Sequence, residues 1–264
     1  MAARRLDLEL VERGLAPSRE QARGLILAGD VMVDGVGVTK AGHTISADAV
    51  VVVAERQRYV SRGGHKLEGA LEVFGIDPAG ARAIDIGAST GGFTDCLLQH
   101  GAVSVTAVDV GYGQLAWQLR NDPRVTVLER TNIRGADPGL LGDEYRIAVI
   151  DVSFIGLLKV LPAVRPLLAP EGFCLALVKP QFEAGKGRIG KKGVVRDPDV
   201  HRDVLETVLS GAQVDGWSVR GLTWSPITGP EGNIEFWAWL SIDGRSKALD
   251  IPGIVEAAHA ALGG

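Results

Sequence analysis

The chain of 264 residues has few cysteines and no long apolar run. Its two cysteines, Cys96 and Cys174, lie in apolar stretches without C-x-x-C spacing, which predicts small buried side chains in a reducing compartment. The start, MAARRLDLEL, lacks the apolar core of a signal peptide, and no later run approaches the length of a membrane span. We therefore expect a soluble cytoplasmic protein, and we predict no metal site.

The chain also lacks an excess of positive charge. Its formal net charge of −4 argues mildly against nucleic-acid binding, although such binding depends on local patches. Because 46% of the residues are hydrophobic, the 35 glycines indicate frequent turns rather than disorder. The length suffices for one medium domain and a small one.

Residues 1–55 are predicted to form the small domain. A short amphipathic helix ends at Gly14, and Ser18 then caps a second helix, with Gln21 completing a capping box and Gly29 ending the helix. The segment VMVDGVGV alternates about an Asp-Gly pair, which is typical of a β-hairpin. Two helices and a hairpin build only a small core, so we interpret this domain as an interaction module.

Residues 56–66, within ERQRYVSRGGHKL, are predicted to form a basic linker. Gly63 and Gly64 are expected to break regular structure. The segment is either a flexible tether or a contributor to the active site of the second domain. Its positive charges are Arg56, Arg58, Arg62 and Lys66.

Residues 67–264 are predicted to form the larger domain, in which apolar runs alternate with helical patterns. The predicted strands are RAIDI (82–86), SVTAVDV (104–110), RVTVLE (124–129), RIAVID (146–151), FCLALVK (173–179), WSVRGLTW and NIEFWAWL. The last two form a hairpin and the others a parallel sheet, which gives a Rossmann-like α/β fold with a mixed seven-stranded sheet. Ligands bind outside the carboxyl ends of such strands, where Asp85, Asp109, Asp151 and Lys179 lie.

The glycine-rich turn in AIDIGASTGGFTD is a candidate nucleotide site. It lacks the G-x-G start of the dinucleotide fingerprint and the G-K-[ST] end of a P-loop. No lysine lies in the turn, and the negative charge of Asp85 and Asp95 disfavours a polyphosphate. A sulfonium cofactor tolerates this charge, which favours S-adenosylmethionine. Asp109 could accept hydrogen bonds from a ribose, but that acid also fits NAD, or a turn before Gly111.

Two resemblances extend this interpretation. The segment RLDLELVERGLAPSREQARGLILAGDVMVDG resembles the S4 RNA-binding domain, in which basic residues of the second helix and its approach face RNA phosphates. The residues that this implies as RNA contacts are Arg4, Arg5, Arg19, Arg23 and Lys40. Acidic neighbours dilute their charge, so solvated surface residues are the alternative.

The segment DIGASTGGFTDCLLQ is similar to the glycine loop of the FtsJ-type ribose methyltransferases. With YVSRGGHKLEGAL, DVSFI, VKPQFEAG, GKKGVVRDP and SPITGPEGNIEFW, the chain resembles the TlyA family, historically called haemolysins, over nearly its whole length. The resemblance implies methyl transfer to the ribose 2′-hydroxyl of a cytidine in ribosomal RNA, in one or both ribosomal subunits. It also implies a Lys-Asp-Lys-Glu catalytic set, here Lys66, Asp151, Lys179 and Glu235.

Each member of this set has an ordinary alternative. Lys179 could act as a base, since burial favours the neutral amine, but neighbouring acids favour the ammonium form, and this balance stays open. Asp151 would orient Lys179 or approach the methyl donor, unless it caps a helix that begins near Phe154. Glu235 would otherwise be an exposed strand residue, and Lys66 a linker charge.

The expected cofactor contacts lie at the glycine turn and at strand ends. They are Asp85, Gly87, Ser89, Thr90, Gly91, Gly92, Phe93, Asp109, Asn132, Ile133 and Asp151. Asn132 and Ile133 lie where related folds contact adenine, with loop capping as the alternative for Asn132.

The basic, glycine-rich segment 186–202 follows Lys179 closely, so we predict a mobile RNA-binding loop at the mouth of the site. A solvated run of charges is the alternative. The RNA contacts assigned outside the small domain are Arg62, Lys186, Arg188, Lys191 and Lys192.

The sequence supports three other functions less well. The chain could be an inert RNA-binding or ribosome-assembly factor, although the complete set of candidate catalytic residues argues against it. A pore-forming haemolysin finds no support in a membrane span or a lipid-facing helix. An NAD enzyme is disfavoured by the missing G-x-G start. The sequence indicates no oligomeric state.

Overall fold

The chain divides into two compact units, Met1–Arg58 and Tyr59–Gly264. The computed structural model describes residues 4–54, 58–185 and 187–263, except for the side chains of Pro138, Lys191 and Pro230. Arg56 and Lys186, both singled out from the sequence, lie outside the described residues. The boundary after residue 58 means that the second unit begins within the segment predicted to be a linker.

The first unit combines two helices with short strands. Its elements are β1 (Arg4–Arg5), α1 (Leu6–Glu12), α2 (Arg19–Ala28), β2 (Val31–Val33), β3 (Val36–Gly37), β4 (Thr44–Ile45) and β5 (Val51–Val53). As predicted, the Ser18 hydroxyl accepts a hydrogen bond from the Gln21 amide at 3.3 Å, and α2 ends at Gly29, whose φ is +82°. The β2–β3 hairpin also forms as predicted.

Two further strand pairings complete this unit and were not predicted. β5 pairs with β2 on the side opposite β3, and β1 pairs with β4. Strands of two or three residues are too short to show the alternation from which strands are inferred. The core that these elements enclose is built from apolar side chains, including Leu6, Leu10, Ala22, Ile26 and Val31.

The second unit is built on a seven-stranded mixed sheet, which confirms the predicted fold class. Its strands are β6 (Arg82–Ile86), β7 (Ser104–Val108), β8 (Val125–Leu128), β9 (Tyr145–Ile150), β10 (Leu168–Val178), β11 (Ser218–Trp224) and β12 (Phe236–Ser241). Their order in the sheet is β11-β12-β10-β9-β6-β7-β8. The five strands from β10 to β8 are parallel, and β12 pairs antiparallel with both β10 and β11.

Helices cover both faces of this sheet. The α-helices are α3 (Gly63–Phe74), α4 (Gly92–Gln99), α5 (Trp117–Arg120), α6 (Pro138–Leu141), α7 (Leu161–Val164), α8 (Pro180–Glu183), α9 (Pro198–Val214) and α10 (Ile251–Leu262). Side chains that alternate along a strand enter different cores: Ile84 packs in the core that includes residues of α7, α9 and α10, whereas Ala83 packs in the core of α3 and α4. Burial on both faces explains why the central strands β9 and β10 are rich in apolar residues.

The predicted linker requires a correction. Gly63 and Gly64 begin α3 instead of breaking regular structure, and Tyr59 is buried within the second unit. The reason is close packing, because a side chain at Gly64 would overlap the Tyr59 ring. A Cβ at Gly92, the first residue of α4, would also lie 2.9 Å from the Gly64 amide nitrogen. These glycines therefore allow two helix starts and an aromatic ring to meet.

Candidate active site

Two adjoining cavities lie at the carboxyl ends of β6, β7 and β9. Their volumes are about 440 and 320 Å³, within the range of small-molecule sites. Both are lined by Gly87, Ser89 and Asp151, so they share a wall. The larger cavity extends toward Asp109 and Asn132. The smaller cavity extends toward the start of α3 and is lined by residues of the basic segment that was assigned to the linker.

Lys66 and Glu235 form a buried ion pair, with Lys66 Nζ 2.6 Å from Glu235 Oε2. Glu235 has no exposed surface, and the side chain of Lys66 is 9% exposed. The alternatives of an exposed strand residue and a linker charge are therefore wrong. The pairing joins α3 to the residue just before β12, positions that are 169 residues apart in the chain.

Lys179 and Asp151 form a second ion pair, next to the cavities. Each follows the last residue of its strand, β10 and β9, and these strands are parallel neighbours, so the two side chains meet at one edge of the sheet. Lys179 Nζ also donates to Ser153 Oγ at 3.1 Å. The alternative that Asp151 caps a helix near Phe154 is wrong, because the next helical turn begins at Leu157.

The two ion pairs belong to one site. Lys66 and Asp151 line the smaller cavity together. Lys66 is paired with Glu235, just before β12, and Asp151 with Lys179, just after β10. Gln181, at the start of α8, donates to Glu235 Oε1 at 3.3 Å and follows Lys179 by two residues. The four residues that the resemblance implied to be catalytic are thus brought together.

The glycine turn between β6 and α4 has a backbone that requires glycine. Gly87 has φ +86°, and a Cβ there would overlap the Asp151 carbonyl oxygen. Gly91 has φ +95°, and a Cβ there would overlap Leu119. Thr90, Gly92 and the buried Phe93 line the smaller cavity. The turn therefore brings the backbone itself to the wall of both cavities.

Asp109 follows β7 and holds the glycine turn in place. Its Oδ2 accepts a hydrogen bond from the Ser89 amide at 2.7 Å, and its Oδ1 accepts one from the Gly111 amide at 2.6 Å. Each carboxylate oxygen can accept a second bond, so Asp109 can still receive hydroxyl groups from the larger cavity that it lines. It both forms a turn before Gly111 and faces the cavity.

Asn132 and Ile133 also line the larger cavity. The Asn132 side-chain oxygen accepts a hydrogen bond from the Arg134 amide at 3.2 Å, as the loop-capping alternative requires. Asn132 therefore both lines the cavity and caps the helical turn that follows it. Ile133 supplies an apolar surface together with Val110.

Asp85 differs from its predicted position. It is fully buried in the structure and lines neither of the two cavities. Its Oδ2 accepts from the Thr94 amide at 3.0 Å and from the Thr94 hydroxyl at 2.7 Å, which fixes α4 to β6. Burial raises the pKa of Asp85 to about 7. Gly91 likewise lies outside both cavity walls.

The predicted RNA contacts of the first unit are ordered by acidic partners. Arg5 and Arg19 donate to the buried Asp7 at 2.9 to 3.0 Å, and Arg23 lies 3.8 Å from it. Hydrogen bonds from Arg5, then those from Arg19, lower the pKa of Asp7 to about 2 despite its burial. One carboxylate thus gathers three guanidinium groups into one cluster that keeps a net positive charge.

The remaining basic candidates have varied surroundings. Arg4 pairs with Glu9 and Glu12, and Lys40 is exposed. Arg62 is exposed and lines the smaller cavity beside Lys66.

We use the name basic loop for residues 187–196, the described part of the segment that precedes α9. Arg188 pairs with Asp203 of α9 at 2.5 Å, and Lys192 is exposed with a left-handed backbone, φ +63°. The side chain of Lys191 lies outside the described residues.

Sequence reasoning missed three side chains near the two ion pairs. Ser153 and Gln181 contact Lys179 and Glu235, as given above. Phe154 is 91% exposed, has φ +64°, lines the larger cavity and lies 5.0 Å from the Phe182 ring, centroid to centroid. Residues in strained backbone conformations cluster at active sites and ligand clamps. The only signal available was their place inside DVSFI and VKPQF.

Within the described residues, no helix is long and apolar enough to cross a membrane. In the same part of the chain, no group of three or more His, Cys, Asp or Glu side chains is arranged to hold a metal ion. Cys96 and Cys174 are buried and form no disulfide with each other, and burial raises the pKa of the Cys174 thiol.

Comparisons with known proteins agree with this architecture. The family model of the FtsJ-like methyltransferases matches residues 59–242, and the model of the S4 domain matches residues 4–51. The 16S/23S rRNA (cytidine-2′-O)-methyltransferase TlyA of Mycobacterium tuberculosis is 50% identical over 98% of this chain and 97% of its own. Hemolysin A of Brachyspira hyodysenteriae is 43% identical over 89% of this chain and 98% of its own.

A solved structure points the same way. The structure of a provisionally named hemolysin from Streptococcus thermophilus is 46% identical and superposes with a TM-score of 0.76, covering 99% of this chain and 97% of its own. The whole-chain matches and the two family models together cover both the FtsJ-like and the S4 domain of this chain. The chain therefore belongs to the FtsJ-like methyltransferases and, within them, to the TlyA family.

Proposed function

We propose that this protein transfers a methyl group from S-adenosylmethionine to the ribose 2′-hydroxyl of a cytidine in ribosomal RNA within a ribosomal subunit. The observation that carries the proposal is the meeting of two Lys–carboxylate pairs, Lys66–Glu235 and Lys179–Asp151, beside a cavity bounded by a glycine turn. The relative in Mycobacterium tuberculosis, named for this activity on cytidine, is similar over nearly the whole chain.

The larger cavity suits S-adenosylmethionine by its size and chemistry. Asp109 offers carboxylate oxygens to ribose hydroxyls, and Asn132 with Ile133 offers a polar edge and an apolar face to adenine. Asp151 and the backbone at Gly87 lie where the cavity meets the smaller one, and a carboxylate there suits a cationic methionine part. When bound, the cofactor supplies an electrophilic methyl group on a sulfonium.

The smaller cavity is the proposed site of the target ribose. Lys66 Nζ has three N–H donors and uses one for Glu235, so the others can hold ribose oxygens. Lys179 Nζ, positioned by Asp151 and Ser153, is in its neutral amine form the group that receives the hydroxyl proton as the oxygen attacks. Lys179 carries little exposed surface, and this limits the access of competing water.

The RNA is held by basic residues of both units. The arginine cluster around Asp7 presents Arg5, Arg19 and Arg23, and guanidinium groups suit phosphate oxygens. In the second unit, Arg62 lies at the smaller cavity, and the basic loop contributes Lys192. Contacts to phosphates make the affinity fall with salt concentration.

Replacement of Lys179 tests the proposed base. We expect Lys179→Ala to lose methyl transfer by at least about a hundredfold while cofactor affinity stays nearly unchanged, because a positioned base contributes about 10²–10⁴. Lys179→Arg keeps the positive charge beside Asp151 but has no group that can take a proton at neutral pH, so it should be equally inactive. The measurement is transfer of labelled methyl groups to purified ribosomal subunits.

Lys247→Ala is the matched control, because it removes an exposed lysine of the same unit that is absent from both cavity walls. Full activity of Lys179→Ala would rule out the assignment. An active Lys179→Arg beside an inactive Lys179→Ala would mean that the charge, not proton transfer, is what matters. A wild-type protein that binds subunits without methylating them would favour an inert assembly factor.

A further inference from the structure

Asn233 connects the basic loop to the turn that precedes Glu235. It lies two residues before Glu235 and is 3% exposed. Its side chain reaches across to the basic loop: Oδ1 accepts from the Val195 amide at 3.0 Å, and Nδ2 donates to the Gly193 carbonyl at 3.1 Å. These two bonds span 38 and 40 residues of sequence.

The segment that leads to Glu235 packs on the catalytic carboxylate itself. The Gly229 amide donates to the Asn233 carbonyl at 2.8 Å, and the Ser225 amide donates to the Glu235 carbonyl at 2.8 Å. A Cβ at Gly229 would overlap Glu235 Oε1. Asn233 therefore closes a tight turn whose inner face touches the carboxylate that pairs with Lys66.

The basic loop ends in an equally compact turn. The Gly190 amide donates to the Val194 carbonyl at 2.9 Å, and Val194 and Val195 are buried. Lys192 projects from this turn as an exposed residue. The Asn233 side-chain amide is hydrogen-bonded to Gly193 and Val195, on either side of Val194, so it connects the two turns directly.

We propose that Asn233 is a positioning residue, which fixes the RNA-contacting basic loop to the turn that carries Glu235. RNA phosphates held at Lys192 are thereby kept in register with the Lys66–Glu235 pair. The inference rests on the proposed function, since it assigns the basic loop to RNA and Glu235 to the catalytic set. A side-chain amide suits this function because it both donates and accepts, and neither Ala nor Asp does both at neutral pH.

Steady-state methylation of ribosomal subunits tests this inference, with Asn233→Ala, Asn233→Asp and the exposed control Asn121→Ala. Asn233→Ala should lower kcat for subunits by on the order of tenfold, from two lost buried hydrogen bonds. Cofactor affinity, measured by calorimetry with S-adenosylmethionine, should stay unchanged because Asn233 lines neither cavity. Asn233→Asp retains only the acceptor and should not restore kcat.

The decisive measurement combines Asn233→Ala with Lys192→Gln. If Asn233 transmits the position of the loop, Lys192→Gln should cost less activity in the Asn233→Ala background than in wild type. Strictly additive losses, or unchanged kcat in Asn233→Ala, would overturn the inference. A loss of cofactor affinity in Asn233→Ala would do so too, because it would indicate general distortion.

Lys179→Ala separates this result from the proposed function. If Lys179→Ala is inactive while the Asn233 variants behave like wild type, only the positioning role of Asn233 is wrong. If Lys179→Ala is active, only its assignment as the base is wrong; if wild type itself transfers no methyl group to subunits, the proposed function is wrong, and the interpretation of Asn233 is wrong with it.

Discussion

The buried pair of Lys66 and Glu235 gives a prediction that separates folding from catalysis. Its nitrogen and oxygen are 2.6 Å apart, and neither side chain has appreciable contact with solvent. Removing one partner of a buried ion pair typically costs about 3–5 kcal/mol, because the other charge is left uncompensated. We expect this cost in Lys66→Met, because the Glu235 carboxylate then has only the neutral Gln181 amide as a partner. We expect it also in Glu235→Gln, because the Lys66 ammonium group is then left without its carboxylate.

The double variant Lys66→Met/Glu235→Gln should be much more stable than the sum of the single losses. It contains no buried charge at this position, and replacing a buried pair by neutral residues of similar size is often close to neutral for stability. All three variants should nevertheless lack methyl transfer, since none retains both Lys66 and Glu235. The double variant would then be a folded but inactive protein.

Urea denaturation followed by tryptophan fluorescence measures these stabilities. All five tryptophans of the chain lie between Trp117 and Trp239, so the signal reports on the second unit alone. For a domain of this size, about 3–5 kcal/mol corresponds to a fall in Tm of roughly 6–20 °C. Single variants within about 1 kcal/mol of wild type, or strictly additive losses in the double variant, would refute the reasoning.

Three further predictions concern the glycine turn, β6 and the arginine cluster. Gly87→Ala should abolish binding of S-adenosylmethionine in calorimetry, because its Cβ would clash with the Asp151 carbonyl. The control Gly113→Ala, at a residue with φ +72° but open space around it, should retain binding. Equal effects of the two substitutions would contradict the clash. Asp85→Asn should raise the free energy of unfolding increasingly from about pH 4 to about pH 7. In the folded state the pKa of the Asp85 carboxyl is raised from 3.8 to about 7. The free energy of unfolding of wild type therefore falls by up to about 4 kcal/mol over that window, at about 1.4 kcal/mol per pKa unit. A difference between the two proteins that stays constant with pH in urea denaturation would count against this. Asp7→Asn should weaken RNA binding in low-salt titrations, although it removes a negative charge, because the arginines lose their common anchor; stronger binding would show that Asp7 only dilutes the charge.

Much of the fold follows from local signals in the sequence. Strands buried on both faces read as apolar runs, and the Ser18 cap and Gly29 end depend on neighbouring residues only. The polar residues at the strand ends fell on one edge because parallel strands align their carboxyl ends. Residues whose role follows from their position at the end of a strand, such as Asp109, could therefore be identified from the sequence.

The rest depends on contacts between distant segments. Gly63 and Gly64 were interpreted as breakers, because no local pattern reveals the Tyr59 ring that requires a glycine at the second position. Asp85 was assigned to the cofactor from its place beside the glycine turn, whereas its Oδ2 faces Thr94. The burial of Glu235 could not be inferred from its apolar neighbours, since its partner lies 169 residues away.

The arginines of the first unit illustrate the same limit of local reasoning. Acidic residues near Arg5 and Arg19 suggested diluted charge, but in the structure one of them, Asp7, is the buried centre of the cluster. Whether an acid weakens or orders a basic surface depends on its burial and its distance from each guanidinium. Neither quantity is written in the sequence.

The most direct test of the account is the site of methylation in ribosomal RNA. Purified protein, labelled S-adenosylmethionine and unmodified ribosomal subunits are incubated, and the modified nucleotides are identified by nuclease digestion and mass spectrometry, with Lys179→Ala in parallel. We expect a methyl group on the ribose 2′-oxygen of cytidine, present with wild type and absent with Lys179→Ala. A methyl group on a base, or equal methylation by both proteins, would contradict it.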